Sequence, residues 1–245
     1  MFNILAINFL NIFDFFYKKK FFKFLKNKNI KNFDIFFDVG AHKGESIKSF
    51  GKNFQINEMY SFEPNNVIFD ELRVNSVKYK NLFKINKVVI ENFALGSVQS
   101  LSNFNQSSDS SSSTFKSVNK ESQYFKKKIF YFNLKDKYFK NTYKVKINTL
   151  DSYINEKKFL KIDFLKIDTE GYEYEVLNGL KKNFDKVKLI FLEHHYDNMI
   201  DKGYKFKDIN NLLIENNFKK IFKCKMPFRK TFEYLYENSS KVEKN

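Results

Sequence analysis

The chain has 245 residues, with 44 Lys plus Arg against 28 Asp plus Glu, a formal charge of +16 and a pI near 9.5. That length supplies one good-sized core without a compositional break between two domains, and the charge suits nucleic acid, an anionic membrane or acidic metabolites without choosing among them. A single cysteine, Cys224, excludes an internal disulfide and a thiolate zinc cluster, which points to a reducing compartment and so to the cytoplasm.

The opening MFNILAINFLNIFDFFYKKKFF is apolar but interrupted by Asn and Asp. It lacks a basic leader and a small-residue cleavage site, and its apolar run is too short to span a bilayer. An amphipathic helical extension over 1–32 is expected, packed on the domain or in peripheral contact with a membrane through Lys18, Lys19, Lys20 and Lys23.

From Phe33 onward, short apolar bursts alternate with helical patterns, the rhythm of strand and crossover helix. FDIFFDVG reads as a strand buried on both faces, followed by a helix starting near Gly44 with Ile47, Phe50 and Phe54 on one side. EMYSFEP is a second strand; Pro64 and Asn65 start the next helix, with Val67 or Ile68, Leu72 and Val74 as its apolar stripe. VVIENFALG is a third strand. SSDSSSST, within a segment expected as a flexible loop over 107–122, has no periodicity and reads as a linker or a lid. FLKID is the fourth strand, followed by a helix with Val176, Leu177 and Leu180 inward. KLIFLEHH is the fifth, then a helical DINNLLIENN and a closing pair around KKIFK and TFEYLYE. A disordered tail is expected over 237–245. The whole predicts a doubly wound, mostly parallel α/β sheet, with ligands beyond the carboxyl ends of its strands.

The unusual polar residues collect at those ends: Asp38, Gly40 and Gly44, then Glu63, Asn92, Asp168 and Glu170, and Glu193, His194 and His195. The seven glycines form no G-x-G-x-x-G and no Walker A loop. D-x-G-x-x-x-G at 38–44 allows close backbone approach but gives no cradle of amides for a pyrophosphate, so a nucleoside without phosphates fits better. Glu63, 19 positions after Gly44, stands where an acid accepts hydrogen bonds from both hydroxyls of a ribose; the competing reading is a surface carboxylate beside Pro64.

FFDVGAHKGES, YSFEPN, FALGS, INTLDSYI, FLKIDTEGYEYEVLNGL and LIFLEHH, in this order over about residues 34–196, resemble the FkbM family of S-adenosylmethionine-dependent methyltransferases. The resemblance implies a class I, Rossmann-like methyltransferase domain over 33–236 and O-methylation of a hydroxyl on a sugar, glycan or related cell-surface precursor. It implies further that Asp38, Gly40 and Gly44 surround the methionine part of the donor, with His42 where members commonly have Asn. Glu63 would take the ribose, and Asn92, Phe93 and Ala94 the adenine edge.

The mechanism requires removal of an acceptor proton as a sulfonium methyl is attacked. A neutral imidazole suits the role of base because it titrates near the working pH. The resemblance, whose members often carry His at this place in E-x-H, implies His195 as base, with His194 its rival; only one of the two faces the crevice, since neighbours on a strand point to opposite faces. Asp168 is expected at the donor methyl or the acceptor. Glu170 is either a second acid or a brace for the turn at Gly171. Glu173 reads as a first-turn helix acid and Glu175 as solvated. Asp168, Glu170, Glu193 and His195 also form a possible divalent-metal set, though no spacing demands one.

The expected acceptor is a small molecule or glycan. Alternatives are a phosphate-type oxyanion on a capsule precursor, or a basic nucleic-acid-binding protein or methyltransferase. Nucleic acid is not favoured, because there is no D-P-P-Y loop and no Pro before Cys224.

Overall fold

A computed structural model describes residues 18–107, 110–132, 138–227 and 229–241. The expectations for residues 1–17 and for 242–245 lie outside the described residues. In chain order the elements are α1 (18–27), β1 (Asn32–Val39), α2 (Glu45–Gly51), β2 (Gln55–Phe62), α3 (Asn66–Phe83), β3 (Lys87–Glu91), β4 (Ala94–Leu95), β5 (Ser100–Ser107), β6 (Ser117–Val118), α4 (Gln123–Phe132), β7 (Phe139–Asn148), α5 (Leu150–Glu156), β8 (Ile162–Ile167), α6 (Glu173–Asn178), β9 (Val187–His195), β10 (Ile200–Asp201), α7 (Phe206–Glu215), β11 (Phe218–Lys225) and β12 (Thr231–Asn238).

Seven strands form one sheet in the order β11-β12-β9-β8-β1-β2-β3. β3, β2, β1, β8 and β9 run parallel, and β12 lies antiparallel between β9 and β11. This is the class I methyltransferase arrangement: parallel strands that reverse direction of winding beside β1, with one reversed strand near the far edge.

The alternation along each central strand supplies both cores. In β1, Phe37 faces a cluster with Leu150, Tyr153 and Ile154 of α5, Val176 and Leu177 of α6, and Ile209 and Leu213 of α7. Its neighbour Phe36 faces the other cluster, with Phe21, Phe22 and Leu25 of α1, Ile47 and Phe50 of α2 and Leu72 of α3. Burying each such Phe contributes about 1.5–3 kcal/mol, so strands apolar on both faces commit the sheet to two helical layers.

Several expectations change in the fold. On α3 the buried side is Ile68, Leu72 and Ser76, whereas Val67 and Val74 are exposed. The predicted third strand divides after Glu91, and Ala94–Leu95 joins a separate three-stranded sheet, β4-β7-β5. That sheet and α4 fill the stretch between β4 and α5, where sequence periodicity showed nothing. The serine-rich segment carries a 3-10 turn at Ser110–Ser112 and strand β6. Residues 237 and 238 end β12; Asn238 is buried and its amide donates to the carbonyls of Phe184 and Val187, so the expected boundary at 237 falls inside a strand.

Candidate active site

The carboxyl ends of β1, β2, β8 and β9 open on a cavity of about 330 Å³, within the roughly 300–1,000 Å³ of small-molecule sites. After β1 the chain must turn tightly against the next strand. Gly40 has φ +81°, and a Cβ there would lie 1.8 Å from the carbonyl oxygen of Asp168, so the backbone approach is open to glycine alone. Gly44, expected at the ligand, caps α2 in a left-handed conformation against Leu72 of α3, between the cavity-lining His42 and Glu45.

Glu63 ends β2 and is almost wholly buried on that wall. Its Oε2 accepts from the His42 N–H and its Oε1 from the Asn65 N–H, both at 2.8 Å, which leaves lone pairs on each oxygen for a ligand. Burial pushes its carboxyl up to about 7 against the pull of the two amides. His42 lines the same wall, its ring between Glu45 Oε1 (2.9 Å) and Ser110 Oγ (2.8 Å). Ser110, Ser113 and Phe115 therefore belong to the site, which composition alone did not reveal. The Asn92 amide donates to the Glu63 carbonyl at 3.0 Å, and Ala94 lines the cavity. Phe93 turns away and packs on Phe62 and Tyr153, correcting its expected place at the ligand.

The model of the methyltransferase FkbM domain matches residues 38–220. The chain belongs to the FkbM methyltransferase family. The family is one of S-adenosylmethionine-dependent methyltransferases, and the sheet described above has their class I order. A solved methyltransferase FkbM from Methylobacillus flagellatus KT aligns at 14% identity and TM-score 0.55 over 83% of this chain and 43% of that one, so this chain spans less than half of that relative's length. Magnesium protoporphyrin IX methyltransferase from Synechocystis PCC 6803, solved with bound S-adenosylmethionine, aligns at 10% identity and TM-score 0.50 over 93% of this chain and 81% of that one. No curated protein sequence matches the chain.

Within this FkbM domain the motif FLKIDTEGYEYE is resolved residue by residue. Lys166, which sequence reading passed over, lines the cavity between Asp38 Oδ1 (3.3 Å) and Asp168 Oδ2 (3.1 Å). Asp38 is fully buried behind it. Glu173 is 1% exposed and braces the turn, its Oε1 accepting from the Thr169 and Gly171 N–H groups while Tyr204 donates to Oε2. Glu175, expected to be solvated, pairs with Lys116. Glu170 sits at φ 50° on the cavity wall, its carboxyl pushed up to about 7 by burial.

On β9, alternation places Glu193 and His195 on one face and His194 on the other. His194 packs against Tyr196, Tyr204 and Phe206, off the cavity, and burial brings it down to about 4. His195 lies behind the wall: Nε2 is 3.1 Å from Glu193 and 3.5 Å from Glu170, Nδ1 is 3.6 Å from Asp197 and 3.1 Å from Thr231 Oγ1. Facing three carboxylates outweighs burial and holds the imidazole well above its ordinary value. His195, expected as a neutral base at the acceptor, instead stands behind the wall among three acids that favour its protonated form. Sequence could not see this, because Glu170 follows β8 and Thr231 starts β12, both far from His195 along the chain. Among the described residues, no group of three or more His, Cys, Asp or Glu side chains is arranged to hold a metal ion.

Proposed function

We propose that this chain transfers the methyl group of S-adenosylmethionine to a hydroxyl of a sugar, glycan or related cell-surface precursor. The observation that carries this reading is the sign of the cavity. In a chain of charge +16, the wall gathers Glu45, Glu63, Asp168, Glu170, Glu193 and Glu233, with Lys18, Lys166 and Arg229 as its permanent cations. These acids exchange hydrogen bonds with hydroxyls in either protonation state and outnumber the cations that would attract an oxyanion, which favours a polyol over a phosphate-type acceptor or a nucleic-acid backbone.

The residues fit the donor. Glu63 would hold the ribose, Gly40 and Ala41 allow close approach, Ala94 and Leu95 border the base, and Asp38 stands toward the methionine end. When bound, the donor supplies a methyl group already electrophilic on a sulfonium. The chain's part is to orient a hydroxyl, exclude water and accept a proton. Glu170 and Glu193 reach the wall while His195 stays behind them, so a carboxylate takes the proton and His195 positions it. A carboxyl near 7 is suited to that exchange at neutral pH.

The reading places the reaction in the cytoplasm, with Lys19, Lys20 and Lys23 exposed along α1 for peripheral contact with an anionic membrane. Among the described residues no helix is long and apolar enough to cross one.

The test is calorimetric titration with S-adenosylhomocysteine on the wild type and on Glu63→Ala, followed by methyl-transfer assays on sugar and phosphorylated acceptors. Binding weakened about ten- to hundredfold in the variant is expected. Identical isotherms would remove Glu63 from the donor site, and transfer to phosphate oxygens alone would replace the hydroxyl reading.

A further inference from the structure

The Asp38–Lys166–Asp168 group is poorly explained as a stabilising device. Withdrawing charges from water costs several kcal/mol per ion, and a buried ion pair is often no better than an apolar pair of the same volume. The geometry here is also loose. Both oxygens of the wholly buried Asp38 accept no aligned hydrogen bond, and Lys166 Nζ at 3.3 Å is the charge beside them. Lys166 donates one bond to Asp168 at 3.1 Å, and an ammonium carries three donors. Its side chain still reaches the cavity wall, and in the sheet Lys166 lies directly opposite Asp38, two residues before Gly40. Two acids holding a cation at a ligand wall describe a receptor for a charged group more closely than a core contact.

The side-chain order is acid, base, acid, and it runs from the end of β1 to the end of β8. An α-amino acid carries the matching pair, one carboxylate and one ammonium, at one end of the donor. Resting on the methyl-donor reading above, we infer that Lys166 binds the α-carboxylate of the donor's methionine end, with Asp38 and Asp168 as the positioning residues that hold its ammonium at the wall. Lys18 and Arg229 also line the cavity and are the competing cations there, on other segments. The assignment to Lys166 follows from its register opposite Asp38, at the strand end that turns through Gly40, and from the two acids that fix it.

The experiment is a cycle between protein and ligand, read by calorimetry so that no acceptor is needed. Wild type is titrated with S-adenosylhomocysteine and with its decarboxylated analogue, in which hydrogen replaces the α-carboxylate. Lys166→Met, Lys166→Gln and Lys18→Met follow with both compounds. Wild type is expected to prefer the carboxylate-bearing compound by about ten- to hundredfold, the range of a charge-assisted hydrogen bond. The preference should vanish in both Lys166 variants, through loss of affinity for that compound alone, and persist in Lys18→Met. Lys166→Gln keeps a donor for Asp168 should Lys166→Met not fold.

Equal binding of the two compounds by wild type, a preference that survives in a folded Lys166 variant, or one that disappears with Lys18 would each overturn the inference. Wild type that binds neither compound would instead overturn the methyl-donor reading, and the inference with it.

Discussion

Single side chains in this site are defined by what surrounds them more than by their own chemistry. His195 is the clearest case, since a histidine at a strand end reads as a base until Glu170, Glu193 and Asp197 are placed around it. Also around this group are Asp168 from the end of β8, Tyr124 and Lys128 of α4, Arg229 before β12 and Glu233 on β12, while His194 lies on the opposite face of β9. Because the folded state raises the His195 value, its contribution to stability is complete below about pH 6.5 and is lost as pH rises through the raised folded-state value. Denaturant midpoints measured across that window should fall with rising pH in the wild type and flatten in His195→Gln. The same variant should keep its affinity for S-adenosylhomocysteine and lose on the order of a hundredfold in turnover, as a positioning residue for the proton acceptor would. Glu63 behaves in the opposite manner to a salt-bridged acid. Its raised carboxyl favours the folded state at low pH, so Glu63→Gln should remove a loss of stability that the wild type shows between about pH 4.5 and about pH 7.

At the scale of elements, α1 and the second sheet decide the shape of the cavity. Phe21 of α1 stacks on Phe191 of β9 with ring centroids 4.4 Å apart, and both line the cavity. Phe22 meets Phe50 and Phe54 edge-on. The helix therefore belongs to the core. Phe21→Ala should cost about 3–5 kcal/mol in chemical denaturation, the range for removing a buried aromatic ring. An unchanged midpoint would mean that α1 is only loosely applied.

The strands of the main sheet were legible because their apolar runs are short, bounded by Gly, Pro or Asn, and too dense to be amphipathic helices. The second sheet was not. β5 reads SLSNFNQS and β7 FKNTYKVKIN, and most of their side chains are polar or only partly buried. Their pairing from Ser100↔Ile147 to Ser107↔Phe139 depends on partners about 30 to 50 positions apart, which periodicity within either segment cannot disclose.

Over the whole molecule, charge is partitioned: a lysine-rich exterior surrounds an acid-rich cavity. Exposed charges are screened within about 8–10 Å at physiological salt, whereas groups in a closed cavity are screened much less. Affinity for S-adenosylhomocysteine should therefore change little as salt is raised, while any adsorption to RNA or anionic vesicles should fall steeply. Parallel decline of both would place the donor site on the open surface.

Local residue patterns were enough to specify the layered α/β architecture, the glycine turn after β1 and the acid after β2. Each follows from local rules: two-residue alternation, the conformational freedom of Gly40, and the short reach from one strand end to the next. Only the closed fold puts Lys166 between Asp38 and Asp168, sets Glu170 from after β8 beside the Glu193, His195 and Asp197 stretch, and makes Ser110 and Ser113 part of the wall. Protonation and pairing depend on distances between residues far apart along the chain. Those distances exist only once the sheet has closed on its helices.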